Sequence, residues 1–405
     1  MKHNIISSSM LLLLGASLLA SCNSEGDKFD YDRAGLYVSG TESDPVVKFV
    51  VEDTPSNYLV TVQSTKKVDT DVSLTLAIDP SKVDEYNKEN KTNFFAIPSD
   101  AVQLESSQVT ISAGNAISSA ASVKVLSTEN FVEGRTYMIP VTVKSATGGL
   151  TNVIEGSRTI YLRISRVINF SAVDADYNAS STYFFDKPIP LTTFTYEMKL
   201  YPTGLAKKGP QRFCALEQLD ETKAVLLRFN EANENNQLQC MTPAGTFMST
   251  TEFNNGQWYM LSIVFDGSNV SLYVNGVLDN STAGSLPGGS LDFQRFEMGM
   301  SWAGYRASQF FGHRFCEFRV WDRALSASEI QGGLCGVDAQ SEGLKAYWKF
   351  NEGQGHLFKD ATNNGFDMDW SLSQRSPGEN NVYYPNPDAA DYIHWVSDDI
   401  NKCAQ

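Results

Sequence analysis

Histidine is scarce in this sequence, with four among 405 residues (His3, His313, His356 and His394), and none of the six cysteines stands in a Cys-x-x-Cys pair. Counts and spacings of that kind exclude the ordinary zinc ligand sets. No Gly-x-Ser-x-Gly run occurs, so the turn that exposes a nucleophilic serine is missing as well. Positive charge is in short supply: 32 Lys and Arg face 47 Asp and Glu, a formal charge of -15. Electrostatic binding of nucleic acid or anionic lipid needs clustered cations, so neither is expected as a partner. The most apolar stretch, within residues 11–22, is too short to span a bilayer by itself.

What is present begins with an address. A cationic Lys2, the apolar run from Leu11 and the small residues of Leu19-Ala20-Ser21-Cys22 together read as a secretory signal over residues 1–21. A cysteine at the first mature position resembles the lipobox of bacterial lipoproteins. The resemblance implies lipid on Cys22 and a protein held at the outer membrane, exposed at the cell surface. Each buried methylene of such an anchor contributes about 0.8 kcal/mol, so two or more chains make attachment durable. With Cys22 taken, Cys214, Cys240, Cys316, Cys335 and Cys403 remain. Five is an odd number, so at least one is unpaired within the chain, and the pairing of the others stays open. Residues 22–32 are polar and acidic and read as a flexible tether. They resemble the acidic export signal of Bacteroidetes surface lipoproteins.

From about residue 33 the pattern alternates with period two. Val72, Leu74, Leu76 and Ile78 share one face, as do Tyr137, Ile139, Val141 and Val143, then Ile160, Leu162 and Ile164. One helix interrupts these strands, with Asp79 as its expected N-cap and Pro80 at the first helical position. Strands at this spacing imply a small β-sandwich over residues 33–165. Val83-Asp-Glu-Tyr-Asn, Phe95-Ala-Ile-Pro98, Val109-Thr-Ile-Ser-Ala-Gly114 and Tyr137-Met-Ile-Pro140 resemble the immunoglobulin-like domain of unknown function that opens many Bacteroidetes glycan-handling lipoproteins. That resemblance implies a spacer.

Residues 166–405 alternate as well. Phe194, Tyr196, Met198 and Leu200 are set to point inward, and Asp266-Gly267 and Asn275-Gly276 are hairpin turn signals, because Gly and Asn supply positive φ cheaply. The chain is therefore all-β. With Phe310-Phe-Gly312, the run from Phe318 to Ile330 and that from Leu344 to Gly353, this half resembles the laminin-G-like, concanavalin-A-like jelly roll. Ser326 and Glu329 would form a capping box there.

That fold resemblance implies either a lectin or a glycoside hydrolase, and the residues must decide. The Glu-x-Asp-x-x-Glu strand of laminarinase-type hydrolases is absent. Glu317 and Asp322 lie at an odd separation on opposite faces, one expected toward solvent and the other at a strand end. No catalytic residue is therefore assigned. Sugar binding needs an aromatic ring to stack on and planar polar groups beside it. Trp302, Tyr305 and Arg306, among small residues in Ser301-Trp-Ala-Gly-Tyr-Arg-Ala-Ser-Gln309, are the carbohydrate-binding candidates, expected on a loop at the sandwich edge. Loops around Arg212 or Asp174 are the fallback. Trp258, Trp321 and Trp348 fall in core motifs. Asp174 and Asp176 are calcium candidates by their alternating oxygens, although the later Gly and Glu of an EF-hand loop are missing. No other cofactor is implied. The sequence thus reads as a lipid-anchored surface protein that binds polysaccharide or glycan, with outer-membrane glycan-uptake proteins as partners. A glycoside hydrolase or lyase of the same fold, and an adhesion subunit that binds protein, are the rival classes.

Overall fold

The computed structural model describes residues 34–51, 54–132, 134–231, 235–378 and 382–404. The signal, Cys22 and the tether lie outside these residues. No helix among the described residues is long and apolar enough to cross a membrane.

The N-terminal domain packs small sheets around one core. Its main sheet runs, in spatial order, Val46–Val50, Thr159–Ser165, Tyr137–Gly148, Val72–Ile78 and Gln108–Ile111. Against it lies a three-stranded sheet of Ser56–Val60, Ala121–Val125 and Val102–Leu104. The alternating apolar positions meet between them: Leu74, Leu76, Ile139, Val141, Leu162, Val60 and Val123 are all buried. The helix is Ser81–Asn90. Pro80 occupies the N-cap, one residue later than the sequence implied, and the Asp79 carboxylate accepts from the Ser81 amide at 3.3 Å. A shift of one residue is within the usual fraying of helix ends.

The C-terminal domain is two antiparallel sheets with an aromatic core. The first runs Val277–Ala283, Asn269–Val274, Tyr259–Phe265, Phe194–Pro202, His313–Trp321, Val167–Ala175 and Ile393–Ala404, with Leu344–Trp348 also paired to His313–Trp321. The second runs Gly245–Glu252, Gln237–Thr242, Ala224–Phe229, Gln211–Glu217, Leu291–Met298, Ser181–Leu191, Gln374–Arg375 and Tyr384–Pro385. Tyr196, Met198 and Leu200 of the first sheet meet Phe293, Phe296 and Leu216 of the second. Phe318 stacks on Phe296 at 5.1 Å and on Trp348 at 5.0 Å. Asn275 and Gly276 both have positive φ, 51° and 79°, as a two-residue hairpin turn needs. The Ser326–Glu329 capping box forms at the helix Ala327–Gly332.

Charged residues behave differently from expectation on the outer face of the first sheet. Glu317 does not reach solvent: it is 1% exposed, 2.5 Å from Arg319, and accepts from the Tyr347 hydroxyl. Arg319 also pairs with Glu197 at 3.2 Å, and the Trp321 indole donates to the same carboxylate. The helix Ala327–Gly332 and the loop after it help cover this network, with the Gly333 carbonyl accepting from Arg319. Asp322 pairs with Lys345 at 2.7 Å. Trp348 is buried and its indole donates to Phe366 O, whereas Trp258 is only half-buried.

The two domains touch where Arg135 pairs with Asp338 at 2.6 Å and where Gly134 lies against the Val337 carbonyl. A Cβ at residue 134 would clash with that oxygen. Beside this contact is a cleft of about 450 Å³, with Phe94 and Phe95 on one side and Trp321 and Arg323 on the other.

Cys335 and Cys403 form a disulfide that ties the covering loop to the last strand across 68 residues of sequence. Cys214, Cys240 and Cys316 are free and buried, and burial raises all three thiols above their ordinary range. A buried neutral thiol is inert. Replacing both Cys335 and Cys403 with Ala should therefore cost about 2–4 kcal/mol of stability in denaturant melts. In the unmodified protein lacking residues 1–33, a thiol reagent should find no reactive group until the chain unfolds, and three afterward. Fast labelling of the native state would contradict this placement.

Candidate functional site

The site is generated by alternation in the central strands of the second sheet. Cys214 opposes Met298 and Leu216 opposes Phe296, and these four side chains are in the core. The intervening pairs, Ala215 with Glu297 and Glu217 with Arg295, must then face outward. Outward here does not mean into water, because Arg295 and Glu297 are each 1% exposed. Tyr383, which follows the strand Gln374–Arg375, lies over them: its hydroxyl accepts from Arg295 at 2.5 Å, and its ring meets Phe184 edge-on at 5.2 Å.

Ions excluded from water must be paired. Arg212 binds Glu297 at 2.6 Å, and Ser301 donates to the other Glu297 oxygen. Arg295 binds Glu221 at 2.6 Å and Glu217 at 3.1 Å. Two guanidinium groups therefore face three carboxylates. Burial, then repulsion from Glu297, push Glu217 from an ordinary 4.5 up to about 7. A proton on Glu217 would leave two carboxylates against the two guanidinium groups. Burial likewise lifts the Tyr383 hydroxyl to about 12, so it stays a donor across the physiological range.

Trp302 stands at the edge of this layer. It is half-buried, caps the short helix Ala303–Gln309, and donates from its indole to the Tyr383 hydroxyl at 3.3 Å. The Tyr383 oxygen thus accepts twice, from Arg295 and Trp302, and its own hydrogen has no acceptor among the described residues. Arg212 lies 5.9 Å from the Trp302 ring. In register beyond Arg212 come Arg228 and then Gln239, whose amide oxygen accepts from Arg228 at 2.8 Å. An aromatic ring is therefore followed by a row of planar polar side chains.

The three carbohydrate-binding candidates are brought together, but the expected loop is a helix. Tyr305 is 51% exposed, with its ring 6.3 Å from that of Trp302. Arg306 lies one turn beyond Trp302 and is buried, its guanidinium 4.1 Å over the Tyr177 ring. Packing does not force the small residue at 304: a Cβ there would lie 3.5 Å from the Pro377 carbonyl oxygen, an ordinary contact. Asp174 is paired with Arg314 at 3.2 Å, and Asp176 accepts from the Asn178 amide at 2.7 Å. Among the described residues no three His, Cys, Asp or Glu side chains gather as a metal cluster. His313 is buried, and burial lowers it to about 4; His356 and His394 are surface residues.

Sequence reading missed Glu217, Glu221, Arg295, Glu297 and Tyr383. Arg295 and Glu297 alternate with Phe296 and Met298, which is the pattern of any sheet with one wet face. Nothing local announces that a tyrosine far along the chain will cover that face.

Comparison with known proteins agrees with this architecture. Residues 176–331 match the family described as the concanavalin A-like lectin/glucanases superfamily, and residues 31–150 match a family described as an N-terminal domain. The C-terminal half is a laminin-G-like, concanavalin A-like jelly roll. No curated protein matches the sequence. Among solved structures, a Bacteroides ovatus protein named provisionally as carbohydrate binding superposes with a TM-score of 0.60 at 19% identity, over 82% of this chain and 97% of that one. EndoBT-3987 from Bacteroides thetaiotaomicron, solved with a Man5GlcNAc product, matches 32% of this chain and 30% of its own at 24% identity and a TM-score of 0.27. A heptameric pentraxin from Limulus polyphemus matches 46% of this chain and 93% of its own, at 12% identity and a TM-score of 0.32.

The proton on Glu217 gives a test of the buried cluster. A carboxyl raised in the fold contributes stability that is fully present below 4.5 and is lost as pH rises through about 7. Glu217→Gln, which cannot ionise, should therefore gain stability relative to the parent as pH climbs from 4.5 to 8 in thermal melts. Parallel curves would mean that Glu217 titrates normally.

Proposed function

We propose that this chain is a lipid-anchored carbohydrate-binding protein of the cell surface. The immunoglobulin-like domain holds the jelly roll off the outer membrane, and the jelly roll captures polysaccharide or glycan for uptake and degradation by partner proteins in that membrane. The observation that carries the reading is the Trp302 edge: a half-buried indole and the exposed Tyr305 ring beside Arg212, Arg228 and Gln239. Pyranose rings are bound by such pairings of an aromatic face with planar hydrogen-bonding groups. A likeness in fold to a Bacteroides ovatus protein named as carbohydrate binding is in keeping with it.

The same geometry argues against hydrolysis. A glycosidase needs two carboxylates able to reach the substrate. Glu297 is 1% exposed and held by Arg212 and Ser301, and Glu217 is largely covered and held against Arg295. Both carboxyl groups are engaged within the fold.

A glycan array supplies the first test, and release of reducing ends from the bound polysaccharides would overturn the non-catalytic part. Trp302→Ala should weaken binding by about 1–3 kcal/mol and, because the half-buried ring also bonds Tyr383, lower the melting temperature modestly. Unaltered affinity in that variant would move the site elsewhere in the jelly roll. Repeating the array with a chelator tests calcium at Asp174 and Asp176, where loss of binding is the outcome calcium predicts. For the address, Cys22→Ala should move the protein from the membrane fraction to the soluble one. Retention of that variant on membranes at high salt would show that the anchor is not a lipid on Cys22.

A further inference from the structure

Resting on the carbohydrate-binding reading of the Trp302 edge, we infer that the glycan it takes is acidic, with a sugar carboxylate answering Arg306. Arg212 has Glu297, and Arg295 has Glu217 and Glu221. Arg306 has no carboxylate within pairing distance among the described residues. It is 8% exposed, and its Nε and Nη1 are buried without a hydrogen-bond acceptor.

Guanidinium stays ionised in any protein environment, so it cannot relieve burial by losing its proton. The Tyr177 ring 4.1 Å beneath it offers a cation–π contact, which attracts the cation without neutralising it. A buried Nε without an acceptor also occurs in Arg212, Arg295 and Arg319, but those three have carboxylate partners, and Arg306 differs from them in having Nη1 free as well. Arg212 lies 5.9 Å from the indole, and Arg306 is tied to the same residue through its backbone, its amide donating to the Trp302 carbonyl at 3.0 Å.

A planar carboxylate matches the donor fork of a guanidinium better than any neutral hydroxyl does. A uronate stacked on Trp302 would present its ring to the indole and its carboxylate to Arg306, and its hydroxyls could accept from Tyr383. The attraction is local: a chain of charge -15 draws in no polyanion from a distance, and at physiological salt screening acts over about 8 Å.

The test compares acidic polysaccharides (polygalacturonate, alginate, hyaluronate), each beside its carboxyl-reduced form, by affinity electrophoresis and calorimetry with the mature chain. At least one acidic form should bind about tenfold or more tighter than its reduced partner, the worth of one charge-assisted hydrogen bond. Arg306→Gln should shrink that gap to less than about threefold, and Arg306→Lys, which keeps the charge without the fork, should fall between. If Arg306→Gln melts far below the parent, Arg306→Lys carries the comparison. Equal binding of acidic and reduced forms overturns the inference while leaving carbohydrate binding intact. So does preference for a sulfated neutral polysaccharide over every uronate. Failure of all these glycans and of neutral ones, with no effect of Trp302→Ala, overturns both readings together.

Discussion

The structure around the site depends on charges placed on the outer face of a sheet and then shut away from water. Glu217, Arg295 and Glu297 arise from the simple alternation of two central strands, and the burial of Arg295 and Glu297 obliges the rest of the chain to satisfy them. Arg212, Ser301 and Glu221 do so from neighbouring segments, and Tyr383 does so across a large separation in sequence. Removing one member of such a cluster leaves another charge unpaired in a medium that penalises it. The layer therefore holds the Trp302 helix and the Tyr383 segment in register, and it is what makes a short helix at the sheet edge a defined surface.

The two outer faces of the jelly roll share this device but use it differently. Glu197, Arg319 and Glu317 on the first sheet are closed under a helix and a disulfide-tethered loop, with Tyr347 and Trp321 completing the bonds. Each charge of that network has an opposite partner, with Arg319 Nε alone of its guanidinium nitrogens lacking an acceptor, and it reads as scaffold. On the second sheet Tyr383 has a hydrogen to give, and Arg306 has two donors to spare and no carboxylate partner among the described residues. Unfilled hydrogen-bonding capacity beside an aromatic face is the physical difference between a structural network and a binding surface.

Fold class was legible because burial with period two is written locally. Leu74 and Leu76, Ile139 and Val141, and Tyr196 and Met198 all fall inward as their alternation implies, and Asn275-Gly276 turns where its φ preferences say it should. Trp302, Tyr305 and Arg306 were found by composition, as aromatic and cationic residues among small ones. Their conformation was not, because a seven-residue helix has too few turns to show a period, and its packing against Pro377 is decided by a distant segment. Glu317 was misplaced for the same reason: a carboxylate on a strand looks solvated until Arg319 and Tyr347 are known to lie beside it. Partners distant in sequence convert a wet face into a buried one, and no local pattern records them.

The most direct test of the account is a crystal structure of the mature chain with an oligosaccharide cut from its best-binding polysaccharide. A pyranose ring packed face-on against Trp302 at about 4 Å, with Tyr383 donating to the sugar, is the predicted result. A sugar seated in the cleft between Phe95 and Arg323, or in jelly-roll loops away from Trp302, would contradict it.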